Sequence, residues 1–143
     1  MQRNPLLPLP GLCLLACCSG VAGAADLTLR IHNVSSAGGT VMVEVLASEA
    51  AFAGAMPAAA AFIVPATAPT VTVSTNALAV GEYAVRVFQD INGNGKLDTN
   101  LVGRPTEPWG FSNDASGTFG PPGWTAARFR LEADAVNEIN LKR

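Results

Sequence analysis

Beyond residue 18 the chain has no cysteine: Cys13, Cys17 and Cys18 all stand near the start. Nothing downstream can form a disulfide, offer a thiolate nucleophile or build a cysteine zinc site. Histidine occurs once, as His32, so no histidine pair for zinc exists. Charged residues make up only 14% of the 143 residues, and the net charge is −2. No run of like charge interrupts the sequence, which excludes the basic footprint of a nucleic-acid binder and the composition of a disordered chain. After residue 24 no apolar stretch approaches the roughly 20 residues that a bilayer-spanning helix requires. Stability must come from an apolar core, with a metal as the one available staple.

The first 24 residues read as an export signal. Arg3 is their only charge, and "LLPLPGLCLLACCSGVAGA" follows, ending in Ala22-Gly23-Ala24. That small-x-small ending predicts cleavage after Ala24, leaving residues 25–143 as a periplasmic or secreted domain. A second reading lies inside the same segment. "LLAC" (residues 14–17) fits a lipobox, which would leave Cys17 as the lipid-bearing first residue of an anchored envelope protein.

Period-two alternation dominates the rest. "DLTLRIHNV" sets Leu27, Leu29 and Ile31 on one face; "TVMVEVLAS", "AAFIVP", "PTVTVSTNAL", "GEYAVRVFQD", "AARFRLEAD" and "VNEINLKR" follow with turn signals between them. Seven short strands predict an all-β domain, a single Greek-key sandwich over 25–143. The one helical candidate is "SEAAFAGAM" (residues 48–56), one or two turns long. "LAVGEY" places Tyr83 where a tyrosine corner is expected, its hydroxyl bonding back to the chain upstream. Residues 99–126 are aperiodic and rich in Gly, Pro, Asn and Ser, yet they hold Trp109, Phe111, Phe119 and Trp124. So long a connection with so many aromatics predicts an ordered loop folded over one end of the sandwich.

Chemistry concentrates at "DINGNGKLD" (residues 90–98). Asp90, Asn92 and Asn94 alternate as side-chain oxygen donors, Gly95 supplies the sharp turn, Lys96 offers its backbone carbonyl and Asp98 closes the set. Alternate oxygens on a tight turn suit calcium, which takes six to eight oxygen ligands. The segment before Asp90 is a strand, and Leu101 stands where an EF-hand carries its bidentate Glu, so this is no EF-hand. Glu107 or Asp114 is expected to supply the missing carboxylate. Two formal charges within the loop place affinity in the loose extracellular range, roughly 10⁻⁴–10⁻³ M. The competing reading is a metal-free network of Asn turns, for which Asn-Gly-Asn-Gly is good chemistry by itself.

Catalytic constellations are scarce. His32 lies on the first strand opposite Leu29 and Ile31, so it is expected at the surface. Ser112 and Ser116 have no base in sequence context. Asp90, Asp98 and Glu107 could form a carboxylate pair for glycoside hydrolysis, though so small a sandwich implies no deep cleft. Trp109 and Phe111, beside Asn113 and Asp114, form a candidate platform for a sugar or peptide; equally they could plug the open end of the sandwich.

The strings "GEYAVRVFQDINGNGKLDTN", "GRPTEPWGFSNDASGTFGPP" and "WTAARFRL" together resemble the bacterial domain of unknown function 2141 family. The resemblance covers nearly all of the mature chain and is strongest from about residue 71. It implies a small exported β-sandwich of the transthyretin or carboxypeptidase-regulatory kind, and no activity. Family members often carry His where this chain has Gln89, and Asn where it has Asp114. The first departure weakens a shared catalytic or transition-metal role, and the second favours a hard cation. A fold likeness to hydroxyisourate hydrolases would not carry their activity, because His32 alone cannot supply a histidine-rich site. The expectation is a non-enzymatic binding or accessory module of the envelope, its loop organised by calcium, its partner an envelope protein or glycan. The alternatives are a small hydrolase using loop carboxylates and a purely structural envelope protein.

Overall fold

The structure, a computed structural model, describes residues 23–143. Most of the segment read as an export signal, with Cys17 and the lipobox reading, lies outside the described residues. Gly23 and Ala24 lie within them: β1 (Ala24–His32) opens at the residue after which cleavage is expected. Its odd-numbered residues Ala25, Leu27, Leu29 and Ile31 are buried while alternate side chains face solvent, as strand geometry requires. β2 (Thr40–Leu46), β3 (Ala60–Pro65), β4 (Thr70–Ala79) and β5 (Gly81–Asp90) follow. The chain then builds β6 (Trp109–Phe111), a 3-10 turn (Ser112–Asp114), α2 (Trp124–Ala127), β7 (Phe129–Leu131) and β8 (Ala135–Asn140). Between β2 and β3 lies α1 (Glu49–Phe52), capped by Ser48, whose Oγ accepts from the Ala51 amide. No helix among the described residues is long and apolar enough to cross a membrane.

Two sheets result. One has the order β4-β1-β8, with β1 antiparallel to β4 and parallel to β8. The other has the order β3-β2-β5-β6, with β7 paired to the first residues of β5. Their inner faces meet in one core. Leu27, Leu29, Ile31, Val71, Val73 and Ile139 from the first sheet pack with Val41, Val43, Val45, Val85, Val87 and Leu131 from the second. Each such side chain contributes about 1.5–3 kcal/mol through burial, which is how the domain stands without a cross-link. Tyr83 is buried and its hydroxyl donates to the Ala79 carbonyl at 2.7 Å, four residues upstream. The tyrosine corner is therefore present.

The strand count differs from the sequence reading: eight strands, not seven. The additional one, β6, lies inside the segment expected to be aperiodic. Trp-Gly-Phe is too short to show alternation, and its pairing is set from outside. It lies against β5 on one side, while Trp109 and Lys142 exchange both backbone hydrogen bonds on the other. Gly110 makes this fit, since a Cβ there would meet the Ile139 side chain at 3.0 Å and the Asn140 carbonyl at 3.2 Å. The chain after β8 thus leaves one sheet and joins the other, closing one side of the sandwich. The strand expected over 126–134 is also shortened, because Ala126 and Ala127 belong to α2.

Candidate functional site

β5 ends at Asp90, and there the chain folds into a knot of hydrogen bonds. Asp90 is 3% exposed. Its Oδ1 accepts from the amides of Gly93 (2.8 Å) and Asn94 (3.1 Å), and its Oδ2 accepts from Gly95 (2.7 Å). Gly93 and Gly95 adopt positive φ, both at 75°, a conformation glycine enters without strain. Asn92 Oδ1 accepts from the Asn94 amide, and Asn94 Oδ1 accepts from the Lys96 amide. The amide nitrogens of both asparagines point at Asp98: Asn92 Nδ2 donates at 2.5 Å and Asn94 Nδ2 at 2.8 Å. Glu107, 5% exposed, spans both ends of the knot. Its Oε1 accepts from Ile91 (2.8 Å) and its Oε2 from Asp98 (3.0 Å).

Of the expected metal ligands, Asp90, Asn92, Asn94, Asp98 and Glu107 are therefore brought together. Lys96 is exposed beside them. Asp114 serves elsewhere, accepting from the Asn140 amide and side chain. Among the described residues no three His, Cys, Asp or Glu side chains converge as a metal-ligand set.

A groove runs beside the knot on the outer face of the five-stranded sheet. Register fixes what lies there. Ile63 pairs with Met42, Met42 with Phe88, and Phe88 with Trp109. Strands 4.7–4.9 Å apart make this a row of large apolar side chains roughly 14 Å long, on the face turned away from the core. Ile63 is 66% exposed, and Met42, Phe88 and Trp109 are half-buried. The next row holds Glu44 and Arg86, joined through Glu44 Oε2 by Arg86 Nε (2.8 Å) and Nη2 (2.5 Å). Phe88, Trp109 and Arg86, with Lys96 and Leu97 from the knot, line a cavity of about 340 Å³.

The four platform candidates separate. Trp109 and Phe111 both line the groove, their ring centroids 5.9 Å apart. Phe111 is itself buried, packed on Phe52 in a small second core with Ala84, Ala115 and Ala127. Asn113, at φ 59°, donates to the carbonyls of Ala126 and Arg128, and Asp114 is held by Asn140. His32 lies on the other sheet, its Nδ1 3.2 Å from the Thr70 hydroxyl.

Sequence reasoning passed over several residues that position the site. Gln89 is fully buried; its Oε1 accepts from Ser35 and its Nε2 donates to the carbonyls of Ser35 and Gly38, tying the β1–β2 turn beneath the knot. Ser112, also fully buried, accepts from the Val85 amide and donates to the Ala127 carbonyl. Neither carries a local pattern. Met42 and Phe88 were legible, since each alternates with buried valines in its strand.

No curated protein and no solved structure matches the chain. The family model described as "Uncharacterized protein conserved in bacteria (DUF2141)" matches residues 29–140, a span that takes in both sheets, the knot and the groove. The chain belongs to that family.

Proposed function

We propose that this protein is an exported, non-enzymatic binding or accessory module of the bacterial envelope, and that its contact surface is the groove on the outer face of the five-stranded sheet. One observation carries the reading: the register Ile63–Met42–Phe88–Trp109 lines up four large apolar side chains on the outer face, where the small second core covers only the Trp109 end. Contiguous apolar surface of this kind marks interaction sites. The accompanying fold reading is a Greek-key sandwich of the transthyretin or carboxypeptidase-regulatory kind. It is supported by the repeated crossing of the chain between sheets, at β1–β2, β3–β4, β4–β5 and β7–β8.

The knot forms one wall of the groove, and calcium is its proposed organiser. Which end of an Asn amide faces a neighbour is an assignment from the surrounding hydrogen bonds. Here each Oδ1 accepts from a backbone amide and each Nδ2 donates to Asp98, so a cation would have to release the Asn94 and Lys96 amides before both Asn oxygens could turn to join those of Asp98. That small oxygen-lined space suits a hard cation. Against a hydrolase stands the use of the carboxylates: Asp90 and Glu107 are both buried and bonded to backbone amides, whereas a glycosidase pair must face the substrate.

The test pairs two measurements on the purified protein. Met42→Lys/Ile63→Lys alters only the exposed face. It should abolish co-sedimentation with envelope fractions while leaving the circular dichroism spectrum and unfolding midpoint in place. Binding that survives the double substitution would refute the apolar row as the contact surface. A calcium series against EDTA, repeated with Asp98→Asn, should raise the unfolding midpoint only in the parent; a flat series in the parent would make the knot a metal-free turn.

A further inference from the structure

We propose that the groove beside Trp109 takes an anionic polysaccharide, a chain of uronate-type sugars, which rests on the groove being the contact surface. The cations left without a carboxylate partner are unevenly distributed. Arg30, Arg86, Arg128 and Arg130 each pair with a carboxylate, respectively Glu138, Glu44, Glu82 and Glu132. Among the described residues the other lysines and arginines are Lys96, Arg104, Lys142 and Arg143, and none has a carboxylate partner.

Two of them, Lys96 and Lys142, stand at Trp109, the Lys142 Nζ also donating to the Asp114 carbonyl at 2.6 Å; Arg104 and Arg143 lie on the adjoining segments. Lys96 lines the groove with it. Lys142 exchanges backbone hydrogen bonds with Trp109 and holds its Nζ 5.9 Å from the centre of the indole ring. Arg143 Nε donates to the Thr106 carbonyl at 3.4 Å, and Arg104 stands in the turn that Asn100 closes, where Thr99 bridges Pro105. The carboxylates of the same region are committed inward or locally: Asp90 and Glu107 to buried amides, Asp98 to the asparagines, Asp114 to Asn140. A chain of net charge −2 thus holds its uncompensated cations on the knot, the turn that follows it and residues 142–143, with Lys96 and Lys142 at Trp109 itself.

A sugar fits this surface better than a peptide. An extended peptide gains affinity from an unpaired strand edge, but at the cavity β6 is paired on both sides, by β5 and by Lys142; the sheet's open edge is β3, at the far end of the row. What the groove offers is side-chain faces. Pyranose rings would present C–H faces to Trp109 and Phe88 and a carboxylate to Lys96, which lines the cavity with them, while the chain's next sugars would run toward Arg104. A cavity of about 340 Å³ lies near the lower end of ligand clefts, roughly 300–1,000 Å³, and suits a short segment of such a chain.

The experiment titrates the purified protein with polygalacturonate, dextran and poly-glutamate, following heat by calorimetry and the indole fluorescence of Trp109 in a Trp124→Phe background. The expected result is binding of polygalacturonate that weakens at least tenfold between 50 mM and 500 mM salt, with dextran and poly-glutamate tenfold weaker or silent. Lys96→Glu/Arg104→Glu, at two exposed positions, should lower polygalacturonate affinity at least tenfold with the unfolding midpoint unchanged. Salt-insensitive binding of dextran as tight as polygalacturonate would overturn the anionic assignment while sparing the groove. Preference for poly-glutamate would overturn the sugar class. Silence toward all three, in protein that still sediments with envelope fractions through Met42 and Ile63, would overturn this inference and leave the proposed function standing.

Discussion

Replacing Glu107 with glutamine separates two roles for the same side chain. In the structure its carboxylate accepts one backbone amide on each oxygen, Ile91 at 2.8 Å and Asp98 at 3.0 Å, while 5% exposed. Glutamine keeps the shape and one acceptor oxygen, but its NH₂ must face the other amide. Two charge-assisted bonds, about 1.5–3 kcal/mol each, become one neutral bond of about 1 kcal/mol. Relief from burying a charge returns part of the difference, so the net loss is about 2–3 kcal/mol. For a domain of this size that lowers the unfolding midpoint by roughly 6–15 °C. The assay is thermal and urea unfolding of Glu107→Gln and parent, each in EDTA and in saturating calcium. A clamp loses the same amount in both buffers. If Glu107→Gln matches the parent in EDTA within about 0.5 kcal/mol, the level of an ordinary surface change, the clamp argument is wrong. If it then loses only the calcium increment, Glu107 is a ligand instead.

Two further substitutions test how the site is held. Ser112→Ala leaves the Val85 amide and the Ala127 carbonyl without their buried partner; urea unfolding should show a loss of about 2–4 kcal/mol, larger than any effect of Ser116→Ala. Gly39 has φ +81° and would place a Cβ 2.1 Å from the Asp90 carbonyl oxygen. Gly39→Ala should therefore shift the β1–β2 turn and destabilise by more than about 2 kcal/mol, detectable as protease cleavage near residue 39 that the parent resists.

The sandwich was legible because burial on one face writes itself as alternation. Leu27, Leu29 and Ile31 in β1, and Val41, Val43 and Val45 in β2, announce their strands, and Gly81-Glu82-Tyr83 announces the corner. β6 did not, because three residues carry no period and because its second partner, Lys142, is 33 positions away, between Trp109 and Lys142 in sequence. The oxygen-bearing side chains from Asp90 to Asp98 were found by spacing, and Glu107 by the charge it adds. Its attachment to both Ile91 and Asp98 depends on a loop path that no local rule supplies. The buried roles of Gln89 and Ser112 stayed hidden for the same reason: a buried polar side chain reads as ordinary surface until its distant partners are known. The apolar row needed register across four strands, information that no single strand contains.

The parallel pairing of β1 with β8 has a consequence for the order of assembly. β1 is the central strand of its sheet, yet one of its two neighbours lies more than a hundred positions along the chain, as the Arg30–Glu138 contact at a separation of 108 records. Closing so long a loop is slow. During synthesis β1 can meet β4 early, but its other edge stays bare until residues 135–140 emerge. Until then Leu27, Leu29 and Ile31 lie along an open strand edge, the template on which foreign strands pair. The expectation is that a chain ending before Ala135 keeps that edge bare and pellets where the full chain stays in solution, rather than forming a smaller working domain.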